Sequence, residues 1–310
     1  MKTVFLGTPA FAVASLEALV AAGHEVLAVF TQPDRPSGRG QTLAAPPVKL
    51  AALSLGLTVH QPERIRRPEA VELIAALRPE LMVVVGYGQI IPQSILDIPP
   101  HGIINVHASL LPRYRGAAPI QWAIANGETR TGVTTMRIDA GLDTGDMLLK
   151  AETDIGPLET APELSARLAR LGAALLIETL AGIEKGVLAS VRQNTAEATY
   201  APLLKKEDGL IDWRRAADQI HNRARGFAPW PGAHARFRGR GFQILKTRSA
   251  EVKLDGAPGS LHVRKSILLV CCGQGEALEL IEVQPEGKKP MAAAAFLNGY
   301  RVAGNEQLGE

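Results

Sequence analysis

The stretch Leu81-Met82-Val83-Val84-Val85 is an uninterrupted apolar run that ends at the turn-forming sequence Gly86-Tyr87-Gly88. A strand that is apolar on both faces is typical of a parallel sheet covered by helices on each side. Similar short runs occupy residues 2–7, 25–31 and 103–106. Segments with helical periodicity separate them at residues 11–22, 48–55 and 69–77. This alternation predicts an α/β fold with a doubly wound, mostly parallel, Rossmann-like sheet.

The second half of the chain has a different texture. A long amphipathic helix is predicted over 161–184, and another helix is predicted to begin at Asp212 and run through Arg225. Five short β-like runs follow, separated by glycines and charged turns: 233–237, 242–247, 259–263, 267–271 and 277–283. This pattern predicts a second, smaller β-barrel of the OB type. We therefore expect a first domain over 1–188, a linker over 189–204 and an OB-like domain over 205–310.

Composition favours a soluble globular chain. Of 310 residues 46% are apolar and 21% are charged, and the net charge is +3. Cys271 and Cys272 are adjacent within a predicted buried strand, which favours two small buried hydrophobes over a disulfide or metal role. The start MKTVFLG resembles a signal peptide, but Pro9 interrupts the apolar run early. We expect a cytoplasmic protein with no membrane partner and no metal.

Four loops should lie where ligands bind, because such sheets hold ligands beyond the carboxyl ends of their strands. They are Gly7-Thr8-Pro9, residues 33–47, Gly86-Tyr87-Gly88 and residues 105–116. The sequence GTPAFA follows the first run and lacks the GxGxxG fingerprint. A dinucleotide site is therefore poorly supported.

Asn105 and His107 are two residues apart on a predicted strand, so their side chains should point to the same face. At the carboxyl end of that strand, an amide can donate to an oxygen and an imidazole can handle a proton. The alternative is an ordinary core Asn and His at a strand end.

Two loops complete the candidate site. In Ser109-Leu110-Leu111-Pro112, exposed leucines beside polar groups suit a flat, partly apolar ligand, although the loop could instead be tucked onto the core. The acidic, glycine-rich segment 139–146 lacks the spacing of an EF-hand calcium loop. A tight turn that presents Asp143 to orient an imidazole fits this segment better.

Basic residues cluster in the second half. Between Arg214 and Arg248 there are nine Lys or Arg residues and a single acid, Asp218. Arg236, Arg238 and Arg240 alternate, so on one strand they would share a face. Such a stripe suits contact with nucleic-acid phosphates, and the alternative is an ordinary solvated basic face.

With these residues in view, the chain resembles the folate-dependent formyltransferases over essentially its whole length. The resemblance rests on INVHASLLPRYRGAAPIQW and DAGLDTGDM, and extends through FTQPDRPSGRG, VVVGYGQIIP and GFAPWPGA. In particular, it resembles the two-domain members that act on initiator tRNA. The combination of motifs is highly specific, whereas the Asn-x-His pair alone is not.

The resemblance implies transfer of a formyl group from 10-formyltetrahydrofolate, a co-substrate, to the α-amino group of methionyl initiator tRNA in translation initiation. It implies a catalytic set of Asn105, His107 and Asp143. The tetrahydrofolate site would comprise Ser109, Leu110, Leu111, Pro112, Tyr87 and Gly88. The tRNA contacts would include Arg35, Arg39, Arg236 and Arg238. Gln41-Thr42 stand where relatives often carry lysines. No permanently bound cofactor is expected, and we expect a monomer.

Three other kinds of protein would share part of this pattern. A formyltransferase acting on glycinamide ribonucleotide or on an amino sugar nucleotide would share the same three residues. A formyltetrahydrofolate hydrolase would keep them and give the formyl group to water. A non-catalytic RNA-binding protein would not need all three residues together.

Overall fold

The computed structural model describes residues 1–37, 42–303 and 306–309. The chain forms two compact units that do not follow simple sequence halves. Unit 1 comprises residues 1–119, 130–154 and 165–201, and unit 2 comprises residues 120–129, 155–164 and 202–310. Residues 189–201, within the predicted linker, pack in unit 1 through single bridges from Val191 to Met147 and from Tyr200 to Arg115.

Unit 1 is built on a seven-stranded sheet with the order β5-β2-β1-β6-β7-β8-β9. Its strands are β1 (Lys2–Gly7), β2 (Glu25–Phe30), β5 (Val59–His60), β6 (Leu81–Val85), β7 (Ile103–His107), β8 (Arg130–Arg137) and β9 (Met147–Asp154). The first five strands pair in parallel, and β8 and β9 are antiparallel. The predicted mostly parallel, Rossmann-like sheet is confirmed.

The antiparallel edge of the sheet was not expected from the sequence. β9 alternates half-buried and exposed positions after its first two residues, as a strand with one covered face does. Gly132 on β8 allows close pairing, because a Cβ there would lie 2.1 Å from the Ala151 carbonyl oxygen. This edge places β8 beside β7, where the candidate site begins.

Six α-helices are found in the described residues up to 201. They are α1 (Ala10–Ala21), α2 (Pro47–Ser54), α3 (Pro68–Leu77), α4 (Gln93–Leu96), α5 (Pro119–Ala125) and α6 (Ala161–Glu184), of which α5 and the start of α6 belong to unit 2. β3 (Arg35–Ser37) and β4 (Thr42–Ala44) pair antiparallel in a small two-stranded sheet. The central strand β6 is buried at every position, which fits the run that predicted it.

Unit 2 contains a second seven-stranded antiparallel sheet. Its main path is β12-β13-β14-β11-β10-β16, and β15 pairs with β14. The strands are β10 (Ala233–Phe237), β11 (Arg240–Lys253), β12 (Leu261–Arg264), β13 (Ile267–Cys271), β14 (Glu276–Pro285), β15 (Met291–Ala292) and β16 (Leu308–Gly309). Register shifts along β11 bend the sheet so that it curls into a half-barrel. The predicted OB-like second domain is confirmed at the level of fold class.

Two helices accompany this sheet, α7 (Ala217–Gly226) and α8 (Ala293–Tyr300). The helix expected to begin at Asp212 instead begins at Ala217. The Asp212 carboxylate accepts bonds from the backbone N–H of Arg214 at 3.1 Å and from its Nε at 2.7 Å. A local side-chain bond of this kind favours a turn over a helix, so the predicted start was wrong.

The cysteines lie where the sequence predicted. Cys271 and Cys272 are both buried in unit 2 and both are free thiols. Burial raises the pKa of Cys272 to about 12, so its thiol stays protonated at neutral pH. Of the helices in the described ranges, none is both long and apolar enough to cross a membrane.

Candidate active site

The carboxyl end of β7 presents Asn105 and His107 on one face of the sheet. In the antiparallel pairing with β8, Asn105 lies opposite Met136 and His107 lies opposite Thr134. The His107 side chain is only 6% exposed. The strand-end placement expected from the sequence is therefore the one observed.

One ring nitrogen of His107 is already engaged. Its Nε2 lies 2.9 Å from the carbonyl oxygen of Tyr114, which can only accept, so Nε2 carries a proton. The other nitrogen, Nδ1, lies 3.7 Å from Oδ2 of Asp143. In the neutral ring, Nδ1 is thus the basic nitrogen, and it faces the carboxylate.

Asp143 completes the cluster from an unusual backbone conformation. Its φ is +51°, in the left-handed region, which costs energy for a non-glycine residue. Its Oδ2 accepts the Gly116 N–H at 2.8 Å, and its Oδ1 accepts the Asn105 amide at 3.4 Å. The structure therefore brings Asn105, His107 and Asp143 together as an amide donor, an imidazole and a fixed carboxylate.

The turn that carries Asp143 is shaped by its neighbours in sequence. The Asp139 carboxylate accepts the Gly141 N–H at 3.0 Å and the Thr144 hydroxyl at 2.7 Å. Gly145 passes so close to Arg137 that a Cβ would lie 1.9 Å from its carbonyl oxygen, which only glycine permits. The acidic residue Asp139 builds the turn, and Asp143 is the one presented to the imidazole.

The segment from Ser109 to Pro112 is tucked in more than the sequence suggested. Leu111 is fully buried in a small cluster with Met136 and Met147. Leu110 is half-buried, and Pro112 is buried. The expectation of exposed leucines is therefore wrong, because the loop is bonded down onto β8 and β9.

Two residues that the sequence did not single out hold this loop. The Thr134 hydroxyl donates to the Ser109 carbonyl at 2.7 Å and accepts the Leu111 N–H at 3.1 Å. Lys150 Nζ donates to the Leu111 carbonyl at 2.6 Å. Ser109 in turn donates its hydroxyl to the Arg113 carbonyl at 2.6 Å. Nothing local marks Thr134 or Lys150, because both sit on the antiparallel strands that were not expected.

Tyr87 and Gly88 occupy the loop that follows β6. Tyr87 is buried, its hydroxyl has no partner among the described residues, and burial raises its pKa to about 12. Its carbonyl accepts bonds from Thr8 Oγ1 at 3.0 Å and Gln32 Nε2 at 3.1 Å. Gly88 has a φ of +84° with open space around the position of a Cβ. Hydrogen bonds therefore fix the loop backbone at Tyr87, whereas the space beside Gly88 is unfilled by the described residues.

The basic residues predicted to contact tRNA are arranged differently from expectation. Arg35 is exposed at the start of β3, while Arg39 and Gln41 lie outside the described residues. Arg236 is on β10, Arg238 is in the turn with a φ of +50°, and Arg240 starts β11. The three arginines therefore do not share one strand face, because Arg238 and Gly239 reverse the chain between two strands.

Several cations of this region have partners within the fold. Arg238 is bonded to the Glu306 carboxylate, with Nε 2.5 Å from Oε1. Arg225 is buried and donates to the carbonyls of Gly156 at 3.0 Å and Glu159 at 2.9 Å. Arg223 lies 4.8 Å above the Phe227 ring. The candidate phosphate-binding surface is thus smaller than the count of basic residues suggested.

Comparison with known proteins matches both parts of the chain. A family model described as formyl transferase matches residues 1–180, and one described as formyl transferase, C-terminal domain, matches residues 203–301. A methionyl-tRNA formyltransferase of Solibacter usitatus (strain Ellin6076) is 64% identical over all of this chain and 99% of its own. A protein of the same name from Koribacter versatilis (strain Ellin345) is 59% identical over the same shares.

A solved structure shares the fold at much lower identity. It is the N-formyltransferase from Helicobacter canadensis in complex with folinic acid and dTDP-3-aminofucose, with a TM-score of 0.67 and 19% identity. The match covers 92% of this chain and 99% of that one. The chain therefore belongs to the formyl transferase family. The two relatives named above, both methionyl-tRNA formyltransferases, match it over all of this chain and 99% of their own length.

Proposed function

We propose that the protein transfers the formyl group of 10-formyltetrahydrofolate to the α-amino group of methionyl initiator tRNA, giving N-formylmethionyl-tRNA for translation initiation. The observation that carries this proposal is the convergence of Asn105, His107 and Asp143 at one strand end. Full-length identity of 64% with a methionyl-tRNA formyltransferase supports the choice of acceptor over an amino sugar nucleotide.

The first chemical requirement is to stabilise an oxyanion. The α-amine attacks the formyl carbon, the C–N bond to tetrahydrofolate N10 is still intact, and the carbonyl oxygen becomes negative. Asn105 lies at the strand end with an amide that can donate to that oxygen in place of its long, 3.4 Å bond to Asp143. One well-aimed donor of this kind contributes about 3 kcal/mol to the transition state.

The second requirement is to move a proton from the attacking amine to the leaving nitrogen. His107 Nδ1 is the nitrogen that can accept it, because Nε2–H is committed to the Tyr114 carbonyl. The imidazolium so formed faces the Asp143 carboxylate, which stabilises its charge. The proton then passes to N10 as the C–N bond breaks, so that tetrahydrofolate leaves neutral and the ring returns to its starting form.

The substrate sites follow the same proposal. Tetrahydrofolate binds against the segment Ser109, Leu110, Leu111 and Pro112 and the loop at Tyr87 and Gly88. The bonds from Thr134 and Lys150 support this assignment, because they fix the loop before a ligand arrives. In this proposal Arg35, Arg39, Arg236 and Arg238 contact tRNA. We further propose domains over 1–188 and 205–310 joined by 189–204, acting as a cytoplasmic monomer.

The test follows a labelled formyl group from 10-formyltetrahydrofolate to three acceptors, which are methionyl initiator tRNA, an amino sugar nucleotide and water. The expected result is label on methionyl initiator tRNA, with little on an amino sugar nucleotide and little released as free formate. Label on the sugar nucleotide, or release to water at the same rate without tRNA, would overturn the proposed acceptor. The alanine variant of His107 serves as the control for catalysed transfer.

A further inference from the structure

We propose that Gln193 and Arg115 are positioning residues that hold Asp143 in its productive conformation. The inference rests on the proposed function, since it concerns how the proposed catalytic carboxylate is placed. The segment 191–201, called the strap below, lies against the loop that follows β7. Its Thr199 carbonyl accepts the Arg115 N–H at 2.8 Å, and its Ala201 N–H donates to the Arg115 carbonyl at 2.7 Å.

Gln193 connects the strap to the turn of Asp143. Its Nε2 donates to the carbonyl of Asp143 and to that of Gly145, each at 2.8 Å. Both amide hydrogens are thereby used on the turn itself. The side chain is buried, at 6% exposure, so these bonds face little competition from water.

Arg115 fixes the other end of the same amide. Its Nε and Nη2 donate to the Gln193 Oε1 at 3.0 and 2.8 Å, a fork that leaves the amide one orientation. Because Oε1 accepts both bonds, Nε2 must point to the two carbonyls. Arg115 is only 2% exposed, so its guanidinium is buried where it binds the Gln193 side chain.

The arrangement matters because Asp143 sits in a sparsely populated backbone conformation. A non-glycine residue with φ near +51° persists only where its surroundings impose it. Gly116 fixes the carboxylate from the side-chain end, through its N–H on Oδ2. Gln193 fixes the peptide from the main-chain end. Arg115 is next to Gly116 in sequence, so the same loop supplies both supports.

Gln193→Glu separates positioning from simple attachment of the strap. The glutamate oxygens still accept the Arg115 fork, now as an ion pair, so the strap remains tied. They cannot donate to the Asp143 and Gly145 carbonyls, so the turn loses its support. A residue that only attached the strap would tolerate this change, whereas a residue that positions Asp143 would not.

The expected result is a fall in kcat of about 10²-fold, the usual effect of misplacing a catalytic group by about 1 Å. The KM for 10-formyltetrahydrofolate should stay within about threefold of wild type, because the folate loop is not touched. Arg192→Gln, at an exposed neighbour in the strap, is the matched control and should retain wild-type kcat.

The measurement expresses kcat per folate-binding site, titrated with 5-formyltetrahydrofolate, so that partial unfolding cannot imitate a catalytic loss. If Gln193→Glu does not fold, Gln193→Met fills a similar volume without donors, and the same fall is expected. Wild-type kcat per site in the variant that folds overturns the positioning role. Absence of transfer by the wild-type protein would instead count against the proposed function.

Discussion

Charged residues are used in opposite ways in two regions of the molecule. One is the strand-end cluster of unit 1, formed by Asn105, His107 and Asp143, and the other is the arginine-rich surface of unit 2, with Arg236, Arg238 and Arg240. In unit 1, each oxygen atom of Asp143 has a named partner: Asn105, Gly116 and His107 on the carboxylate, and Gln193 on the carbonyl. In unit 2, Arg236 projects from a strand with one bond to the nearby Gly239 carbonyl. We expect the first arrangement to act through the exact positions of its atoms, and the second to act through its total positive charge.

This difference determines how each region should respond to substitution. Removing one group from a bonded cluster misplaces the others, so losses are large and do not add independently. Removing one cation from a surface that meets phosphates lowers affinity by a modest, separable amount. A small loss of activity from a substitution in the unit 1 cluster, or a large one from a substitution at a unit 2 arginine, would contradict this difference.

The largest expected effect is that of Asp143→Asn. The neutral amide cannot stabilise the imidazolium of His107, and it places a donor where Gly116 also donates. We expect kcat for formyl transfer to fall by about 10³-fold, between the losses typical of an oxyanion donor and of a triad carboxylate. Binding of 5-formyltetrahydrofolate, followed by fluorescence titration, should remain largely intact. Turnover close to that of the wild type would contradict the role given to Asp143.

The cluster in unit 1 also shows which residues of a site can be predicted from sequence. Asn105 and His107 were predicted because a two-residue spacing on a strand fixes a shared face. Asp143 was predicted from its glycine-rich loop and from the family resemblance. Gln193 and Arg115 were missed, since neither carries a local pattern and their bond joins positions far apart in sequence. Long-range contacts of this kind are set by tertiary packing.

The error in unit 2 has a local physical cause. Arg236, Arg238 and Arg240 alternate in sequence, and alternation predicts a shared face only while one strand continues. Gly239 has a φ of +75° and Arg238 a φ of +50°, which together form the tight turn of a hairpin. The glycine between two arginines was the available signal for that turn, and the charge pattern obscured it.

The intermediate effect is expected at Arg236. Arg236→Ala should weaken binding of methionyl initiator tRNA a few-fold and reduce the slope of log affinity against log salt by about one, as for one lost phosphate contact. Affinity measured by filter binding across a salt series checks both quantities, and kcat at saturating tRNA should not change. A loss of kcat comparable to that of Asp143→Asn would erase the contrast between the two regions.

The smallest effect is expected at Arg238, because its guanidinium is already bonded to Glu306. The side-chain bond to Arg238 lowers the pKa of the Glu306 carboxyl, and the bond to Glu306 raises the pKa of Arg238. Arg238→Gln should therefore change the salt dependence of tRNA binding less than Arg236→Ala does, since a paired cation attracts phosphate less strongly.

The same pair predicts a pH-dependent stability difference whose sign is fixed. A carboxyl with a lowered folded-state pKa stabilises the fold above its unfolded-state pKa, and that stabilisation is lost as pH falls through the folded-state value. Wild type should therefore be slightly more stable than Arg238→Gln at pH 7, and the two should converge in acid below the Glu306 pKa. Thermal unfolding of both proteins across this range measures the difference.

If Arg238→Gln instead reduced the salt slope of tRNA binding as much as Arg236→Ala, the Arg238–Glu306 pair would be exchanging for phosphate, and bonding within the fold would not decide which arginines bind tRNA.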